Sequence, residues 1–314
     1  MSNVASLREV RRRIRSVENT KKITRAMEMV AASKLRRFQD LLTSARPYTE
    51  KIDSLLKRFL DDVPPGYSHP YLKSPQRTEW VREPETGATG EAGLIIFTSD
   101  TGLCGTYNGD LEQAVREFLD EHSREKISLI FVGKHARGVF AHQKNRVAGI
   151  FSDLRVSRFE ETLENLQKTI DTEYHSGRFQ TVTALYTRME SLSRCHVSVE
   201  KILPLNSPAQ GEGPHLPEKI GNLPSSSVDW IVEPDLKTVL DKLIPASFEA
   251  KLRLVVYHAL LTEQIARMSA MRQATQNAKE MIDSLTLARN KARQAAITKE
   301  IIEVVSGSRA QKLK

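Results

Sequence analysis

From Leu7 the chain repeats apolar positions at alternating steps of three and four: Leu7, Val10, Ile14, Val17, Lys21, Thr24, Glu28, Ala31, Leu35, Phe38 and Leu42. Eight of these eleven are apolar, and the three exceptions are consecutive. Around that gap a second stripe rises on another face, made of Ile23, Ala26, Met27 and Val30. One partner needs one seam, so a stripe that wanders predicts a helix contacted from more than one side. Near the other end the same spacing gives Met268, Met271, Thr275, Ala278, Ile282 and Leu285, then Ala288, Ala292, Ala295 and Ala296. Small seam residues let two helix backbones approach closely, so the pattern predicts a slim rod. No Gly or Pro interrupts the 46 residues up to Pro47, nor the 61 residues from Ala246 to Ser306, where Gly307 closes the run. At about 1.5 Å per residue these runs reach roughly 70 and 90 Å. Such lengths mean a coiled coil, a membrane span or a repeat. No apolar run exceeds four residues, which removes the membrane span. The two ends are therefore expected to pair antiparallel as one coiled coil.

Between them the period changes. GLIIFTSD (Gly93–Asp100) and ISLIFVG (Ile127–Gly133) read as buried strands, and Gln180–Arg188 and His196–Leu205 as two more. Helical patterns cover Leu111–Leu119, Lys134–Phe140 and Arg158–Tyr174. Strands alternating with helices imply a small, mainly parallel sheet. The Pro/Gly-rich stretches Asp61–Gly90 and Ser207–Ser227 lack periodicity and read as inserted loops. The resulting architecture is α+α/β. A helix over 1–60 is followed by an insertion over 61–92, a Rossmann-like α/β domain over 93–205, a loop over 206–233 and a second long helix over 234–314.

Charge sharpens this picture. Residues 1–46 hold 12 basic and 4 acidic side chains, and residues 246–314 hold 12 and 6, whereas the middle carries 23 and 29. Two basic ends on an acidic middle point to one shared acidic partner: nucleic acid, an anionic surface or a protein. A basic zipper would place its basic block ahead of the seam, but here the cations lie within the heptads. No aromatic residues are interleaved to stack bases. A nucleic-acid-binding coiled coil is thus the alternative reading rather than the leading one.

Candidate chemistry is sparse. The turn Gly102–Gly109 lacks both phosphate-cradle spacings and has no following Lys, so Gly102 and Gly105 read as structural turn glycines. Cys104 and Cys195 lie too far apart in sequence for a metal motif, and Cys104 has no evident His partner. The eight His are scattered. The expectation is no catalytic residue, no metal and no cofactor. The Arg-rich start resembles a transit peptide but runs without a break into the first helix, so a mature start at Met1 is expected.

These segments together resemble the gamma-subunit family of F-type ATP synthases, of the bacterial type. REVRRRIRSVENTKKITRAMEMVAASKLRRFQ (Arg8–Gln39) is similar to that family's first helix, and SDTGLCGTYN to its SDRGLCGGFN loop. ARMSAMRQATQNA and RNKARQAAITKEIIEVVSGSRA are similar to its last helix. The chain departs at Arg289, where the family has Tyr or Phe, at Gly307-Ser308, where it has Gly-Ala, and at Thr101 and Thr106 in the turn. The 61–90 insertion holds no cysteine, unlike the redox loop of chloroplast members. The resemblance implies a central-stalk rotor shaft inside three alpha and three beta subunits. It also implies contacts with the epsilon and delta subunits and the membrane c-ring. Proton-driven rotation would then set the state of the catalytic beta sites, with no catalysis on this chain. A peripheral position on the cytoplasmic face of the inner membrane follows. Lys21, Lys22, Arg25 and Met27 would face outward where the seam breaks, as rotor–stator contacts. The resemblance assigns the same outward role to Arg267, Arg293, Gln294 and Thr298.

Overall fold

The computed structural model describes residues 7–63, 66–72, 91–123, 126–139, 147–153, 158–191, 194–205 and 232–312. Most of the two predicted insertions lies outside them. The chain forms two compact units, one of residues 1–33 with 267–314 and one of residues 34–266. The division falls within two long helices, α1 (Leu7–Asp61) and α5 (Leu236–Lys312).

Both helices outrun their predicted breakers. Pro47 lies inside α1, although it lacks the N–H that would meet the carbonyl of Thr43. Pro47 and Thr43 are both exposed, so that carbonyl lies on the solvent side of the helix. Leu42 before it and Thr49, Ile52, Leu56 and Phe59 after it are buried and hold both sides in line. Gly307 does not close α5, which continues to Lys312. A Cβ at Gly307 would meet nothing, so the glycine serves no turn.

The predicted break in the first seam also disappears. Val10, Ile14, Thr24, Ala31, Leu35, Phe38 and Leu42 are all buried, while Leu7, Val17, Lys21 and Glu28 are half-buried. The seam passes straight through its three polar positions. In the first unit, the Thr24 and Thr275 hydroxyls meet at 2.8 Å. In antiparallel register this contact puts Leu7 about level with Ala292. From Arg293 to Ser308 every residue of α5 is exposed.

The second unit is built on a five-stranded sheet. Its strands are β1 (Glu91–Phe97), β2 (Ile127–Val132), β3 (Val147–Phe151), β4 (Phe179–Ser191) and β5 (Arg194–Leu203), in spatial order β3-β2-β1-β4-β5. The first four run parallel, and β5 returns antiparallel through a hairpin. Strand β3 was not read from the sequence. It has five residues on an edge, and Gly149 interrupts its apolar pattern. Three helices connect the parallel strands: α2 (Tyr107–Glu121), α3 (Lys134–Val139) and α4 (Phe159–His175). Leu94, Ile96, Leu129, Phe131 and Leu185 pack with Leu111 and Val115 of α2 and Ala136 of α3. Ile95, Phe97, Ile130 and Val132 have the opposite parity and serve the other face. The chain moves outward from β1 to β3 and then jumps back to β4. A right-handed crossover therefore places α4 on the face opposite α2 and α3. There α4 buries Phe159, Leu163, Leu166, Ile170 and Tyr174.

Candidate functional site

The order in which strands are added reverses between β1 and β4, which is where open α/β sheets take ligands beyond the strands' carboxyl ends. The predicted turn follows β1 at that point. Gly105 has φ 61°, a conformation that favours glycine. A Cβ at Gly102 would meet nothing. Gly109 belongs to α2 rather than to the turn.

Within the turn, Ser99, Cys104 and Asn108 bind one another. The Asn108 side-chain oxygen accepts from the Ser99 N–H at 3.1 Å, and its amide donates to the Ser99 hydroxyl at 2.8 Å. Cys104, 2 % exposed, packs with its sulfur 3.7 Å from the same hydroxyl. At the start of α2 the Thr106 hydroxyl donates to Asp110 at 2.9 Å, which sets a carboxylate where a phosphate would need to sit. The neighbouring turn is equally closed: a Cβ at Gly133, φ 108°, would lie 2.1 Å from the Thr98 carbonyl oxygen.

The crevice itself is occupied by α5. The Tyr107 hydroxyl donates to the Ala259 carbonyl at 3.3 Å. The Thr262 hydroxyl lies 2.9 Å from the carbonyl oxygen of Thr187 on β4 and equally close to that of His258. Ala266 packs on the α2 side of the sheet, and Tyr257 stacks on Phe159 of α4 at 5.1 Å. Residues 255–265 are all buried. A helix of the chain thus fills the space a nucleotide would use.

Titratable groups in this region are held for structure. His258 is 3 % exposed, and burial pushes its pKa down to about 4, assisted by the positive charges of Arg188 and Arg46. Its Nδ1 has no hydrogen-bond partner. The Tyr186 hydroxyl donates to Glu200 at 2.7 Å, and burial foremost, with that carboxylate, holds its pKa well above the ordinary value. Asp53 accepts from the Ser247 hydroxyl at 3.0 Å, and burial raises its pKa. Among the described residues no group of three His, Cys, Asp or Glu side chains could hold a metal ion.

The surface of the first unit is the remaining candidate. Lys22 and Arg25 are exposed, whereas Met27 is half-buried. Lys21 is also half-buried and sits on the seam, not where a seam breaks. The second stripe faces outward: Ile23 is 60 % exposed, Val30 is 56 % exposed, and Ala26 is exposed with them. Met29 joins this face at 61 % exposure and was not singled out from sequence, because it falls between the two stripes. Arg267 is a correction. It was expected outward, but it is only 7 % exposed, on the same buried face of α5 as Met271 one turn on. Arg293, Gln294 and Thr298 are exposed. They share the last stretch of α5 with exposed Ile297, Ile301, Ile302, Val304 and Val305. Isolated exposed aliphatics are ordinary, but a run on one uncovered helix marks a surface that meets protein. Aliphatic and cationic side chains thus share one exposed surface.

A family model described as ATP synthase matches residues 6–310. The ATP synthase gamma chain of Moorella thermoacetica is 36% identical over 309 residues, spanning 98% of this chain and all of its own length. The gamma chain of Burkholderia ambifaria is similar to the same extent. Among solved structures, a chain in the OSCP/F1/c-ring assembly of Euglena gracilis mitochondrial ATP synthase shares the fold. Its TM-score is 0.62 at 16% identity, with 97% of this chain and 94% of that chain covered. A chain of the Tetrahymena thermophila mitochondrial ATP synthase central stalk and c-ring gives a TM-score of 0.54 at 19% identity, covering 80% of this chain and 99% of that one.

Proposed function

The chain belongs to the gamma-chain family of ATP synthases, and from that premise we infer how this central-stalk subunit works. The first unit is a rotor shaft surrounded by three alpha and three beta subunits. The sheet-bearing unit meets the epsilon subunit and the c-ring, with delta elsewhere in the same assembly. The complex lies on the cytoplasmic face of the inner membrane, with this chain peripheral to it. Among the described residues no helix is long and apolar enough to cross a membrane. The chain couples proton-driven rotation to the beta sites and performs no catalysis itself. Nucleic-acid binding is set aside, because family membership accounts for both basic ends.

One observation carries this reading. Residues 293–308 form a helix exposed along its whole circumference, yet five of them are large aliphatics. Aliphatic and small side chains form a bearing that touches a sleeve without locking one angle. A strong ion pair at the same place would trap a single orientation. Cations further along, Lys22 and Arg25 beside exposed Ile23 and Val30, supply contacts that differ between angular states. Differential contact is what links shaft angle to beta conformation.

Met27→Lys tests the reading. Half-buried Met27 borders this cationic face, so a new ammonium there adds an attraction to any acidic partner segment. One such pair is worth about 1 kcal/mol, small against fold stability but several-fold in a balance between rotary states. Assembly with alpha and beta chains should survive, while protons pumped per ATP hydrolysed in membrane vesicles should fall. An unchanged ratio would remove this face from the coupling surface, and failure of the parent chain to co-purify with alpha and beta would remove the whole reading.

A further inference from the structure

The two long helices are held very differently in the sheet-bearing unit. α1 buries one face there: Leu35, Phe38, Leu42, Thr49, Ile52, Leu56 and Phe59. It is also tied to α5 by the Asp53–Ser247 hydrogen bond. α5 is gripped by four elements. Arg253 donates both ways to Glu160 of α4, at 2.8 Å to each carboxylate oxygen. Lys251 donates to the Lys201 carbonyl of β5 at 2.6 Å. Tyr107 of α2 donates to the Ala259 carbonyl, and Thr262 abuts the Thr187 carbonyl of β4. Apolar packing on one face lets a helix roll or slide along its groove. Directional bonds from several sides, two of them to backbone carbonyls of the partner element, resist both motions.

We infer that α5 carries most of the torque between the sheet and the rest of the rotor, and that Tyr107, Glu160 and Arg253 are positioning residues that keep the sheet-bearing unit from turning about it. The inference rests on the central-stalk reading, since only a chain that transmits torque needs such a clamp. Both α1 and α5 run unbroken out of this unit, so a turn imposed on the sheet passes onward chiefly through the helix that is held the more firmly. α1 follows, because its single face of contact yields first.

The test uses the assembled complex of alpha, beta and this chain. The stator is fixed to a surface, and a bead is attached through Cys195, which is exposed on β5, while Cys104 is buried. The readout is the angular spread of the bead in the stalled complex, which widens as the link softens. The double variant Tyr107→Phe with Arg253→Met removes two of the four grips and should raise the angular variance about twofold if the grips act independently. Ser247→Ala, which loosens α1, should leave the variance unchanged. Arg253→Lys should recover part of the stiffness lost by Arg253→Met. Should the double variant not assemble, Glu160→Gln alone still weakens the fork and should still widen the spread. An unchanged spread in the clamp variants, or equal widening by Ser247→Ala, overturns the inference. A parent complex that does not rotate overturns the central-stalk reading instead.

Discussion

Residues 255–265 and 293–308 belong to one helix and live in opposite surroundings. All eleven of the first are buried, and all sixteen of the second are exposed. Yet both contain substantial aliphatic content, with Leu260, Leu261 and Ile265 in one and Ile297, Ile301 and Ile302 in the other. Helical conformation survives in both because the backbone satisfies itself at every turn. What differs is the supply of neighbours. The first stretch lies in a crevice of the sheet, so even His258, Thr262 and Gln264 are enclosed there. The second extends past the level of Leu7 and meets no cover among the described residues. The difference teaches that side-chain type on this helix does not separate buried from exposed positions.

The largest expected effect tests that statement directly. Leu252→Ala, at a position 0 % exposed beside the enclosed stretch, should cost about 2–5 kcal/mol in the isolated chain. Ile301→Ala, at a position 57 % exposed, should shift stability by less than about 0.5 kcal/mol and instead weaken assembly. Urea denaturation of both variants measures the first quantity, and co-purification with alpha and beta chains measures the second. Equal destabilisation by the two would mean that the exposed end is packed after all.

A smaller effect concerns pH and belongs to the enclosed stretch alone. His258 has a folded pKa lowered from 6.5 to about 4, so below pH 6.5 the unfolded chain takes up a proton that the folded chain refuses. Stability is therefore lost as pH falls from 6.5 toward 4, at about 1 kcal/mol by pH 5.5. His258→Gln removes the titrating group. The slope of stability against pH across that window should flatten in the variant, and an unaltered slope would assign the acid sensitivity to other groups.

The smallest effect probes the seam between these extremes. Thr24 and Thr275 each also sit near a backbone carbonyl of their own helix, those of Lys21 and Met271. Losing one hydroxyl therefore leaves the other served. Thr24→Val and Thr275→Val should each cost about 1 kcal/mol, and the double variant less than their sum, because the two share one bond. Strict additivity in thermal unfolding would show that the hydroxyls do not act as a pair.

Local chemistry made much of the molecule legible from sequence. Absence of Gly and Pro, with a three-and-four spacing, is a property of neighbouring residues, and it sufficed for two very long helices. Alternating strand and helix patterns located β1, β2, α4, β4 and β5. The motifs at Arg8–Gln39, in the turn and near the C-terminus pointed to the family. Pro47 and Gly307 were read as breakers because their local cost is real, but packing on either side of Pro47 outweighs it and Gly307 sits in open space. Strand β3 is too short to show a period. Which of two stripes on α1 is covered and what fills the crevice of the sheet depend on residues far apart in the chain, as Thr24 with Thr275 and Tyr107 with Ala259 show. Helical periodicity says that a face exists, whereas only the folded chain supplies, or withholds, the surface that covers it.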